Sequence, residues 1–174
     1  ECPGWNGVGV CMHQDLQNQY CHVVRGVRVK KLHTSRRDAF QPVNAAPAAV
    51  IDRETGEIEL FEEEGPRGEY LFTELDEDLN IPILTVAPGS RLAIPEDADG
   101  VVIQATGLGH LPTEGSHTVL PQLKQSHVPV ALVAQTLNGR LNLNVYSAGR
   151  TIKPFVLGHR TDMTLEAAYM KLAW

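Results

Sequence analysis

The stretch GVVIQATGLGH, Gly100–His110, decides the fold. Val101, Val102 and Ile103 form a short apolar, β-branched run. A run of that length, bounded by glycine, reads as a strand buried on both faces, the kind found in parallel sheets. It ends in Gly107-Leu108-Gly109-His110. At the C-terminal edge of a parallel sheet, that is where a ligand loop belongs. Pro112 stands where the dinucleotide fingerprint GxGxxG would need its third glycine, so dinucleotide binding is disfavoured and a tight structural turn is the competing reading.

The segments on either side repeat the pattern. NIPILTVAPG (80–89) and PVALVAQTL (129–137) are two more apolar, strand-like runs, and LPQLKQSHV (120–128) can form a short helix between them. RLNLNVYSAG (140–149) shows apolar alternation. The last segment places Leu165, Ala168, Tyr169 and Leu172 on one helical face, behind Thr164 as N-terminal cap. Apolar strands alternating with helices predict an α/β fold with a parallel sheet.

Upstream the chain reads differently. GVGVCMH (7–13) suits a strand, and YCHVVRGVRVKKL (20–32) is β-rich around Gly26. FQPVNAAPAA (40–49) is rich in Pro and Ala and reads as irregular. AAVIDRETGEIELF (48–61) reads as a hairpin, Ala48–Asp52 and Glu57–Phe61 flanking the turn residues Glu54, Thr55 and Gly56. Twelve of the twenty-one acids fall between Asp52 and Asp78, which marks a solvated surface loop and linker. A domain boundary is expected near Asp76–Asn80, giving domains 1–78 and 79–174. No internal repeat is present.

Bulk properties narrow the function classes. The chain has 174 residues, enough for one domain or two small ones, and 43% hydrophobic and 21% charged content fits a globular protein. No apolar run approaches the ~20 residues needed to cross a bilayer. Aromatics at 6% argue against a stacking platform for single-stranded nucleic acid. Three cysteines, Cys2, Cys11 and Cys21, are a poor disulfide framework and fit a reducing cytoplasm. With His13 and His22 they invite a zinc reading, but no CxxC pair is present and inert thiols are preferred. Glu1 in place of Met, and a last segment that stops within a helical pattern, read as a piece of a longer chain.

The net charge is −6, yet Arg25–Arg37 gathers six of the fifteen Lys and Arg residues in RGVRVKKLHTSRRDAF (25–40). Side chains alternate along a strand, so these charges cannot share one face. A nucleic-acid stripe is therefore disfavoured, leaving an aggregation-resistant edge strand or one lysine of a site. No GxSxG, HExxH, P-loop or EF-hand pattern occurs.

RGVRVKKLHTSRRDAFQPVN (25–44) resembles a segment of the bacterial-type asparaginase/glutaminase family. Within it the closest group is the D subunits of archaeal glutamyl-tRNA(Gln) amidotransferases, to which the His-Thr-Ser-Arg-Arg-Asp-Ala-Phe run is rather specific. The resemblance continues through GVVIQATGLGHLP, VPVALVAQTLNGRLNLNVYSAGR and DMTLEAAYMKLAW, nearly the whole chain. Pro42 and Asn138 are mild departures, standing where a Ser and an aromatic residue are usual.

The resemblance implies a two-domain asparaginase-like α/β fold. Residues 1–78 would be the C-terminal part of the N-terminal, catalytic domain, and 79–174 an incomplete C-terminal Rossmann-like domain. It also implies a threonine nucleophile in a Thr-Gly-Gly-Thr motif, which this sequence does not contain. The piece as given is thus expected to be inactive alone. The implied catalytic residue here is Lys31, four residues before the HTSRR serine, Ser35; Lys30 is at a more variable position. A threonine hydroxyl needs a base and nearby positive charge, which a lysine can supply. His110 is implied as a substrate-side residue approaching a neighbouring subunit's site, so a homodimer is expected. The implied reaction is amide hydrolysis of glutamine or asparagine. The ammonia would pass to an E subunit acting on tRNA(Gln), and ATP and Mg²⁺ would belong to that partner, with no cofactor in this chain. A stand-alone cytoplasmic L-asparaginase is the alternative, and a non-catalytic regulatory piece is the third reading.

Overall fold

A computed structural model describes residues 5–61, 69 and 71–174. Cys2 and most of the acidic run 62–70 lie outside them. The chain divides into two compact units, Glu1–Phe72 and Thr73–Trp174.

The first unit is antiparallel. Strands β1 (Gly9–His13), β2 (Tyr20–Arg25), β5 (Ala49–Asp52) and β6 (Ile58–Leu60) form one sheet in the order β1-β2-β5-β6. The β5–β6 hairpin falls where the turn residues predict. Asp52 Oδ1 accepts from the Glu54 and Thr55 amides, and Gly56 takes the left-handed conformation at φ +76°. Those amide bonds, from Thr55 and then Glu54, hold the Asp52 carboxyl below its ordinary range.

A separate two-stranded ribbon pairs β3 (Val29–Lys31) with β4 (Phe40–Pro42). A single 3₁₀ turn, Gly26–Arg28, leads from β2 into β3. The strand at β4 corrects the irregular reading of FQPVN. The amide of Val43 donates to Arg28 O at 2.8 Å and that of Leu32 to Ala39 O at 2.6 Å. Since hydrogen-bonded and non-bonded pairs alternate in an antiparallel ladder, the pairs Val29–Pro42 and Lys31–Phe40 are the non-bonded ones. Pro42 therefore sits where its missing N–H would have faced away from the partner strand, and the ribbon tolerates it.

The second unit is the α/β one. Strands β7 (Ile83–Thr85), β8 (Val101–Ala105) and β9 (Val130–Ala134) form a parallel sheet with β8 in the middle. Both faces are covered, as the continuous apolar runs predict. On one, Val101, Ile103, Ala105, Val130 and Leu132 pack with Leu123 of helix α1 (Leu120–Gln125) and Ile152 of α2 (Ser147–Ile152). On the other, Val102, Ala131 and Val133 meet Ala168, Leu165, Tyr169 and Leu172 of α3 (Leu165–Ala173). Thr164 caps α3, its Oγ1 accepting from the Ala167 amide at 3.3 Å.

The alternation in RLNLNVYSAG does not make a strand. Leu141 and Leu143 are buried, but the backbone between them bonds in two directions: Leu141 N to Thr161 O and Leu143 N to His159 O, Asn142 N to Leu108 O. The Asn144 and Val145 amides are taken within the segment itself, by Asn142 Oδ1 at 3.2 Å and Asn142 O at 3.4 Å, so the run ends in a turn that leads into α2. Gly149 permits that turn, since a β-carbon there would lie 2.8 Å from Leu143 O.

Candidate functional site

In the first unit, Lys31 ends β3 with its side chain exposed, and Phe40 lies directly opposite it on β4. In a non-bonded pair the two side chains stand close on one face. The Lys31 ammonium lies 5.6 Å from the centroid of the Phe40 ring, within the range of a cation–π contact. Lys30 is one residue earlier and so faces the opposite side.

The turn that joins β3 to β4 is the HTSRR run, and the structure gives it a physical role. His33 Nδ1 accepts from two backbone amides, Ser35 at 3.1 Å and Arg36 at 3.0 Å. With Nδ1 accepting, the tautomer that fits this geometry carries its proton on Nε2. Arg36 closes the turn with a two-pronged ion pair to Asp38, Nε to Oδ1 at 2.7 Å and Nη2 to Oδ2 at 2.8 Å. Hydrogen bonding from Arg36 holds the Asp38 carboxyl below its usual range, and the same bond raises the guanidinium. These residues organise the connection that follows Lys31.

The remaining charge of the basic stretch is dispersed. Arg25 stands over the Trp5 ring at 5.1 Å and reaches Asn6 O at 3.4 Å. Its neighbours lie on a turn, on a ribbon and in a loop, so the geometry does not gather them into a stripe for nucleic acid.

Beneath the ribbon lies His22 of β2, 2% exposed, whose Nε2 donates to Phe40 O at 2.9 Å. Sequence reasoning weighed His22 only as a zinc ligand. Among the described residues no group of three or more His, Cys, Asp and Glu side chains could hold a metal ion. Cys11 and Cys21 form no disulfide among the described residues.

In the second unit, β8 delivers Thr106–His110 to the C-terminal edge of the parallel sheet. The loop is tight: Thr106 and His110 form an isolated bridge, with the His110 amide bonded to Thr106 O at 2.9 Å. Gly107 and Gly109 have φ of +51° and +111°, a region open to glycine. His110 is half-buried, and its ring lies 4.9 Å from that of Tyr146, tilted by 53°. Tyr146 was not singled out by sequence reasoning. Its only local signal is an aromatic residue in a segment of alternating character, 36 positions away. Lys31 is thus brought to Phe40 and His110 to Tyr146, each within its own unit.

Comparison with known proteins follows this division. The family described as "Asparaginase, N-terminal" matches residues 3–64, and "Glutaminase/Asparaginase C-terminal domain" matches 85–174. The D subunits of glutamyl-tRNA(Gln) amidotransferase from Methanothermobacter thermautotrophicus and Aeropyrum pernix are each 37% identical to the chain. The matches cover 96% of this chain and 39% and 40% of those proteins, so the chain spans about two fifths of their length. Among solved structures, the thermostable L-asparaginase from Thermococcus kodakarensis superimposes with a TM-score of 0.78 at 29% identity, over 97% of this chain and 50% of that one. L-asparaginase I from Vibrio cholerae gives 0.72 at 26%, over 88% and 48%. Among the described residues no helix is long and apolar enough to cross a membrane.

Proposed function

The chain belongs to the asparaginase/glutaminase family, and from that premise we propose that it is part of the D subunit of a tRNA-dependent amidotransferase. The observation that carries this reading is the 37% identity to a protein of that name along 96% of the chain. In the full-length protein, a threonine outside this chain attacks the side-chain carboxamide of glutamine. The C–N bond breaks, ammonia leaves, and water then releases the acid from the threonine. The ammonia passes to an E subunit that amidates glutamate attached to tRNA(Gln). ATP and Mg²⁺ belong to that partner, and no cofactor is assigned to this chain.

Lys31 is the residue of the present chain with a catalytic part. A lysine beside the threonine relays its proton and stabilises negative charge as it develops. Its place at the end of a short ribbon, over the Phe40 ring, supports a fixed rather than a wandering ammonium. His110, on the loop after β8, serves on the substrate side of a neighbouring subunit's site in a homodimer. Its backing by Tyr146 supports that role.

The test is ammonia release by the full-length protein, with glutamine and with asparagine, in the presence and absence of the E subunit and Glu-tRNA(Gln). Glutamine turnover raised by the E subunit and Glu-tRNA(Gln) is expected. The likeness to L-asparaginase structures favours a second reading, a stand-alone asparaginase. Asparagine turnover indifferent to both partners would establish that second reading and overturn the first.

A further inference from the structure

The β3–β4 ribbon is short, and three residues on each strand do not fix its place on their own. What ties it to the four-stranded sheet is therefore decisive for any residue it presents. Because Lys31–Phe40 is a non-bonded pair, the Phe40 carbonyl points away from β3. It needs a donor from outside the ribbon, since a carbonyl shut away from water without one is costly. His22 supplies it: Nε2–H to Phe40 O, 2.9 Å, from a side chain 2% exposed on β2. A second link runs from Gln41 Nε2 to Gln14 O at 3.2 Å.

His22 is one of two buried polar side chains among the described residues, with Thr164, which caps α3. A leucine or phenylalanine would fill the same volume without a desolvated imidazole. What only a donor at that point provides is a grip on the Phe40 backbone. Phe40 in turn bears on Lys31 twice, as its partner across the ribbon and through its ring under the ammonium.

We propose that His22 is a positioning residue for Lys31, acting through the Phe40 carbonyl. The inference rests on the catalytic reading of Lys31. Losing the bond lets β4 shift against β2 and displaces the ammonium without removing it. Misplacing a catalytic group by about 1 Å costs as much as ~100-fold in rate. The effect therefore falls on kcat, while KM changes little, because His22 touches no substrate.

The test is glutaminase kinetics of the full-length protein with its E subunit, comparing the parent with His22→Leu, His22→Gln and Lys31→Met. Glutamine places its Nε2 amide near the imidazole Nε2 and keeps the donor; leucine keeps the bulk and loses it. Expected are no turnover for Lys31→Met, a kcat lowered about tenfold or more with KM within about twofold for His22→Leu, and near-parental kcat for His22→Gln. If Lys31→Met is inactive while folded His22→Leu keeps parental kcat, or His22→Gln falls as far as His22→Leu, the positioning role is wrong and the Lys31 reading stands. Parental turnover by Lys31→Met sinks both. Should His22→Leu fail to fold, His22→Asn replaces it. Its shorter amide falls short of the carbonyl, so kcat well below that of His22→Gln is expected, and equal kcat overturns the proposal.

Discussion

A β-carbon placed on Gly109 would run into the side chain of Leu143. The loop after β8 and the segment before α2 are thus held at glycine distance, and the φ of +111° at Gly109 adds a backbone requirement to the steric one. Gly109→Ala is expected to destabilise the chain by about 1–3 kcal/mol, the usual cost of overpacking. Thermal unfolding followed by circular dichroism measures it. Gly115→Ala provides the comparison: its φ is +74° but nothing lies within 4 Å, so only backbone strain remains and a smaller loss is expected. Equal losses would show that packing against Leu143 is immaterial.

Lys30 and Lys31 are adjacent but face opposite sides of the ribbon. In the full-length protein, Lys31→Met should abolish glutamine turnover with little loss of stability, while Lys30→Met should leave turnover nearly unchanged. Steady-state ammonia release and melting curves on both variants check the pair. Equal effects on turnover would contradict the assignment of Lys31.

His33 accepts two amide protons at Nδ1. His33→Ala removes both bonds, each with a net value of roughly 0.5–1.5 kcal/mol. Amide exchange at Ser35 and Arg36 should then quicken by about tenfold, since 1.4 kcal/mol corresponds to that factor. His33→Asn, whose side-chain oxygen can take the place of Nδ1, should restore much of the protection. Hydrogen exchange resolved by NMR reads both amides, and unchanged rates in the alanine variant would remove His33 from the turn.

Asp38 has a carboxyl pKa lowered by its bond to Arg36. A group whose folded pKa lies below its unfolded value contributes stability above the unfolded pKa and loses it as pH falls through the folded one. The turn should therefore hold through the neutral range and loosen only below the ordinary aspartate value of about 3.9. Carboxyl ¹³C titration should place the Asp38 midpoint below that value, and Arg36→Gln should bring it back up. A midpoint indifferent to Arg36 would dismiss the ion pair.

What the sequence made legible follows from how local each signal is. Val101–Ala105 and Val130–Ala134 announce buried strands because both faces are apolar, and Thr164 announces a helix start because its hydroxyl serves an amide three residues on. The β5–β6 hairpin is equally local. The alternation in 140–149 reports the burial of Leu141 and Leu143 but not the turn that Asn142 organises after them. Pro42 hid β4, since only the register reveals that its missing N–H was never needed. The pairs His22–Phe40 and His110–Tyr146 join residues 18 and 36 positions apart, and nothing within either neighbourhood predicts its partner. Lys31 and His110 came from resemblance rather than from pattern.

The strand pairings also carry a timetable. His13 and Cys21, at the closed end of β1–β2, are 8 residues apart, whereas every β8–β9 pair, such as Val101 and Val130, spans 29. Closing the longer loop costs about 1 kcal/mol more in chain entropy, and no contact repays it until the loop is shut. The β1–β2 and β5–β6 hairpins can grow residue by residue from their turns, while the β2–β5 ladder, whose closest pair Val23 and Ala49 spans 26, and the parallel sheet both wait for distant segments to meet. During synthesis or refolding, the two hairpins of the first unit can thus be in register before either the sheet that joins them or the sheet edge that carries the His110 loop is closed.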